Sequence, residues 1–76
     1  MSVDIAVKVL DESINKIVLI KLNGNKTIRG NLFWFEQNMN LLLDQSEEIP
    51  SEGDSKSLGT IVVRGDNVVM ISPPPA

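Results

Sequence analysis

The chain has 76 residues, with seven Lys and Arg against ten Asp and Glu, a formal net charge of −3, and 42% hydrophobic residues. One small domain of this size has a marginal core alone, because the buried fraction of surface falls as chains shorten. With neither Cys nor His, disulfides, thiolate sites and the usual zinc, copper and non-haem iron ligand sets are excluded, so no cofactor is expected and oligomerisation is the remaining source of extra stability.

Ser2 is placed to cap a short helix with Asp4 in its first turn. Val3, Ala6, Val7, Val9, Leu10 and Ile14 follow at near-helical spacing, which gives a face to lie on a sheet. Ile17–Leu22 alternates as a strand, with Val18, Ile20 and Leu22 on one side and Ile17, Leu19 and Lys21 on the other. Asn23-Gly24-Asn25 is a hairpin signal, since Asn and Gly tolerate the positive φ that such turns require. The next strand, Lys26–Phe35, puts Ile28, Gly30, Leu32 and Trp34 on one side, and Gly30 inside it predicts a sharp bend or a close backbone approach.

Asn38-Met39-Asn40 interrupts the pattern, which Leu41–Asp44 resumes. Residues 45–57 then carry Glu47, Glu48, Glu52 and Asp54 against Lys56 and are broken by Pro50 and Gly53. They read as a solvated acidic connector holding the whole charge excess, so the rest of the chain is neutral and leaves room for a local cationic site. Two runs of β-branched residues, Thr60–Val63 and Val68–Ile71, flank Arg64-Gly65-Asp66-Asn67, a turn with Gly65 giving freedom at its apex. Pro73-Pro74-Pro75 ends all pairing. The sum is mainly β: a short N-terminal helix followed by five antiparallel strands, strongly bent into a small barrel.

No apolar run approaches the roughly 20 residues that span a bilayer, and the first residues lack the basic segment, apolar stretch and cleavage site of a signal peptide. A soluble, cytoplasmic chain with no membrane partner is expected. Nothing in it supplies a nucleophile–base pair, a metal set or a phosphate-binding loop, so an enzyme is not expected.

Taken in order, these motifs resemble those of the Sm and Sm-like (Lsm) family, most closely its archaeal members. The first Sm motif spans residues 16–44, with Gly24, Gly30, Phe35, Met39 and Asn40 at the family's intervals. The second spans 58–73, marked by Leu58-Gly59 and Arg64-Gly65, and the two are joined by the connector 45–57. The Tyr-Lys-His signature of the bacterial Hfq branch is missing where Arg64-Gly65-Asp66 stands. The resemblance implies one Sm-like domain over residues 1–76 whose fourth strand pairs with the fifth strand of an identical neighbour, closing a ring, most often of seven. Physics favours such closure, because an unpaired apolar strand edge is an aggregation hazard and a closed head-to-tail ring leaves none.

The resemblance also implies binding of single-stranded, U-rich RNA at the inner rim, and the scaffolding of RNA processing or ribonucleoprotein assembly together with RNA-processing proteins. The alternative is a protein-interaction ring in which RNA is secondary. Carried over residue by residue, Asn40 would hydrogen-bond the base edge and Arg64 would stack on the base. Asp66 would support that network, Gly65 belongs to the same RNA-binding set, and Asn38 would occupy the position that usually carries an aromatic ring or His. Glu36 stands where the family usually has Asp, able to pair with Arg64 or to brace the loop. Arg64 has a purely structural reading as well, an ion pair with Glu36 or Asp66. Trp34, the chain's only Trp, is either a packing residue over the bent sheet or at a subunit contact, or a second RNA platform.

Overall fold

The computed structural model describes residues 2–73, and the side chains from residue 5 onward. The cap expected of Ser2, the first-turn side chain of Asp4, the packing of Val3, and Pro74 and Pro75 therefore lie outside what is described. Helix α1 runs Ser2–Glu12, and its Leu10 is buried in the core. The helix stops where the Ser13 hydroxyl donates back to the Val9 carbonyl at 2.8 Å, a local bond that competes with helix continuation. Asn15, with φ 65°, then turns the chain. Its N–H reaches the Leu32 carbonyl at 2.7 Å, and the Leu32 N–H reaches Lys16 at 3.0 Å. These bonds seat the helix at one end of the sheet.

Strands β1 (Ile17–Leu22), β2 (Lys26–Phe35), β3 (Leu41–Glu48), β4 (Lys56–Val63) and β5 (Val68–Ser72) form one antiparallel sheet in the order β4-β3-β2-β1-β5. The alternation of β1 is observed, with Val18 and Ile20 buried. They meet Ile28, Leu32, Leu41, Leu43, Val63 and Leu10 in a single core. Gly24 and Asn25 adopt φ 83° and 65°, as the hairpin signal requires.

Gly30 marks a close approach. A Cβ there would sit 2.9 Å from the Cβ of Ser46, so only glycine lets β2 and β3 close on each other while the sheet bends. Ladder irregularities between Arg29 and Asn31 and around Ser46 lie at the same bend. Buried Ser46 is satisfied by donating to the Gly59 carbonyl at 2.6 Å.

Two expectations change. The acidic connector is shorter than 45–57, because β3 continues to Glu48 and β4 begins at Lys56. Gln45–Glu48 has poor intrinsic β propensity. Cross-strand partners override it: Arg29 faces Glu47 and Lys56 faces Glu48. The second change is at the end of β2, where a bulge between Leu32 and Trp34 breaks the alternation. Trp34 leaves the face it would share with Leu32, and Phe33 and Trp34 are both about half exposed.

Strands β4 and β5 are the two open edges. They do not pair with each other, although Arg64–Asn67 joins them directly. Val62 is 70% exposed on one edge and Val69 63% on the other, so apolar side chains and unpaired backbone groups coincide at both.

Candidate functional site

Three turns converge beside these edges: Asn23–Asn25 between β1 and β2, residues 36–40 between β2 and β3, and Arg64–Asn67 between β4 and β5. Glu36 organises the second of them. Its carboxylate accepts the Asn38 N–H at 2.8 Å through Oε1 and the Asn40 side-chain amide through Oε2. Backbone bonds from Met39 N–H to the Glu36 carbonyl at 2.9 Å and from Glu36 N–H to Asn40 at 3.2 Å close the same loop. Met39 takes φ 67° there and packs against the core.

The Arg64 turn is docked onto this loop. The Gly65 N–H donates to Asn40 Oδ1 at 2.7 Å. Gly65 does not occupy the left-handed region, and its role is space rather than freedom. A Cβ at this position would lie 1.9 Å from the Asn38 carbonyl oxygen, so no other residue allows the two turns to touch in this way. Residues Gly65–Asn67 form a single 3₁₀ turn, closed by Asn67 N–H to the Arg64 carbonyl at 3.0 Å.

The contacts fix the Asn40 amide. Its oxygen faces a donor, its nitrogen faces a carboxylate, and a flip would set like against like at both. One Nδ2 hydrogen and one Oδ1 lone pair remain for a ligand. Arg64 is held differently. Its guanidinium stands 3.9 Å from the Asp66 carboxylate, with the two side chains 80% and 79% exposed, an ion pair of little energetic weight. Glu36 is committed to the loop and does not pair with Arg64. The guanidinium is thus presented to solvent from a fixed backbone, free to lie on a planar ligand.

The sequence-predicted residues Asn38, Asn40, Arg64, Gly65 and Asp66 are brought together. Among the described residues the Asp66 carboxylate reaches Arg64 only, while its carbonyl accepts the Asn23 side-chain amide at 3.3 Å. The Asn23 backbone N–H also donates to the Asn67 carbonyl at 3.0 Å. Sequence reasoning took Asn23 for a turn residue and missed this contact, whose partners are backbone carbonyls 43 positions or more away. Trp34 stands apart, at the bulge and in register with Leu42.

Among the described residues, Glu47, away from the site, is perturbed. Arg29 donates to Glu47 at 2.5 and 3.0 Å. That hydrogen bond holds the Glu47 carboxyl below its ordinary range, with the guanidinium charge and a bond from Ser55 adding to it and desolvation opposing.

Comparison with known proteins agrees with this architecture. The LSM domain profile matches residues 8–73. A protein carrying the name snRNP Sm-like protein from Methanococcoides burtonii is 38% identical over 65 residues, covering 86% of this chain and 90% of the relative. One of the same name from Archaeoglobus fulgidus is 39% identical over 67 residues, covering 88% and 87%. Among solved structures, a heptameric archaeal Sm protein superposes with TM-score 0.84 at 50% identity, covering 90% of this chain and 98% of that one. An Sm protein of Pyrococcus abyssii in complex with a uridine heptamer superposes with TM-score 0.83 at 37% identity, covering 90% and 96%.

Proposed function

The chain belongs to the LSM family, and from that premise we propose that it forms a homo-oligomeric ring, a heptamer, that binds single-stranded U-rich RNA and acts as a scaffold rather than an enzyme. The ring forms when β4 of one subunit pairs with β5 of the next. What supports this is the coincidence of both open edges with exposed Val62, Val69 and Met70, together with the heptamer formed by the similar archaeal Sm protein. Closure repeats the Arg64 turn around a pore, which sets a circle of exposed guanidinium groups there, each beside its own Asp66 carboxylate.

The locked amide of Asn40 carries the ligand assignment. Uracil offers an acceptor oxygen beside an N–H donor on its pairing edge, and the remaining donor and lone pair of Asn40 complement that order. Cytosine reverses it and would need a flipped amide, which Glu36 and Gly65 forbid. Arg64 stacks on the base, an interaction open to unpaired bases alone. Asp66 restrains Arg64, Gly65 joins the turns, and Asn38 lies beside the base without the platform an aromatic ring would offer. Trp34 lies outside this site and acts as a packing residue on the bent sheet. The ring would gather RNA with processing factors in ribonucleoprotein assembly.

Native mass spectrometry with and without a uridine oligomer tests the reading. A ring that takes up the oligomer is expected, and a monomer that ignores it would overturn both parts.

A further inference from the structure

We propose that Asn23 is a positioning residue of the RNA site, pinning the Arg64 turn so that the guanidinium is delivered at a fixed height over the base; this rests on the reading of Arg64 given above. The 3₁₀ turn is only three residues long and has no side-chain cap. On one flank it is held by Gly65 N–H to Asn40 Oδ1 at 2.7 Å. On the other, Asn23 supplies the two restraints, backbone N–H to the Asn67 carbonyl at 3.0 Å and side-chain amide to the Asp66 carbonyl at 3.3 Å.

A short turn held at one point can pivot about it. The bond from Gly65 and the backbone bond to Asn67 limit that pivot, and the Asn23 side chain on the Asp66 carbonyl restricts it further. The residue that gains is Arg64, whose own side chain has, among the described residues, just the exposed partner Asp66. Asn23 can play this part because Gly24 and Asn25, not Asn23, take the positive φ values of the hairpin. Its own side chain is free to reach across. Asn is also the residue that fits the chemistry. The group its side chain faces is the Asp66 carbonyl oxygen, so a donor stabilises the contact, and the carboxylate of Asp at the same position would repel it.

The test uses the full chain as its ring, with Asn23→Ala and Asn23→Asp. Native mass spectrometry should show both rings intact. Affinity for a uridine oligomer should fall about threefold in the first variant, the effect of one exposed hydrogen bond, and further in the second. Affinity for an abasic oligomer of equal length should be unchanged, since it offers no base to Arg64. In an Arg64→Ala background the Asn23→Ala loss should vanish, as coupling through one residue requires. Without RNA, the Asn67 amide should exchange hydrogen faster in Asn23→Ala than in the parent. Unchanged exchange, an equal loss on the abasic oligomer, or a loss that persists without Arg64 would each overturn the proposal. If the parent ring ignores uridine altogether, the functional reading fails while the exchange experiment still decides the role of Asn23.

Discussion

The α-carbon of Gly65 faces the Asn38 carbonyl oxygen so closely that a methyl group between them would stand 1.9 Å from that oxygen. Two turns separated by a strand, a loop and another strand are thereby fused, and the Gly65 N–H can reach Asn40. The glycine is a spacer for tertiary contact, and its substitution separates a local cost from a functional one. Gly65→Ala must push the turns apart, at about 1–3 kcal/mol of stability by comparison with other overpacked sites. It should also lower uridine-oligomer affinity by about tenfold or more, because Arg64 and Asn40 no longer share a frame. Thermal melting and binding titration read the two effects. An alanine variant that binds like the parent would show that the turns need not touch.

On the proposed reading, Asn38 presents an amide where an aromatic ring would stack, and its backbone N–H is already used by Glu36. Replacing the side chain leaves that bond intact. Asn38→His should tighten binding to a uridine oligomer, toward the roughly 1–3 kcal/mol per base that aromatic stacking supplies. The same measurement on an adenosine oligomer tells stacking from base reading, since both should gain. Unchanged affinity for either would mean that the base does not pass over this position.

Much of this was legible in the sequence, and for physical reasons. The hairpin at Asn23-Gly24-Asn25, the alternation of Ile17–Leu22 and the close approach at Gly30 are local rules about φ, side-chain period and the absence of a Cβ. The acidic segment misled, because the strand character of Glu47 and Glu48 comes from Arg29 and Lys56 across the sheet. The bulge that turns Trp34 out of the core row depends likewise on a neighbouring strand. Within the site, residue types named the participants, whereas the direction of each bond was not legible. Glu36 could have paired with Arg64, and Gly65 could have been needed for its φ. Only the packing of one turn on another decided both.

The Arg29–Glu47 pair gives the chain an acid-sensitive element. The folded Glu47 carboxyl sits below its unfolded value. Its stabilising contribution is therefore complete above the ordinary carboxylate range and is lost as pH falls through the folded value. Glu47→Gln lacks it at every pH. Melting temperatures of parent and variant should differ most near about pH 6 and converge toward about pH 3, with a small gap throughout because the pair is exposed. A gap independent of pH would assign the difference to packing.

Trp34 is a reporter placed by the bulge outside the hydrogen-bonded turns. If it packs on the sheet in register with Leu42, any change in its fluorescence on adding RNA comes indirectly through occupation of the Arg64 site. Arg64→Ala should then abolish the change. Quenching that survives in Arg64→Ala rings would instead identify Trp34 as a second platform on the ring.

On the proposed reading, Glu36 controls base identity without touching the base. Its two oxygens take the Asn38 N–H and the Asn40 amide, and the second bond orients Asn40. Glu36→Gln keeps the length and shape of the side chain but leaves a single acceptor oxygen for two donors. Where that oxygen stays with Asn38, the NH₂ group of the substituted side chain faces Asn40 and favours its flipped state. The flipped amide then loses its bond from Gly65 N–H but complements cytosine. The variant should therefore bind a uridine oligomer more weakly and a cytidine oligomer no worse, narrowing the ratio of the two affinities by about the value of one hydrogen bond, about 1 kcal/mol or roughly fivefold. Asp at this position is shorter and remains an acceptor at both oxygens, so Glu36→Asp should preserve the ratio while altering affinity. Parallel titrations of the parent, Glu36→Gln and Glu36→Asp rings with both oligomers measure the ratio directly. If it is the same in all three, base preference does not arise from the orientation of Asn40.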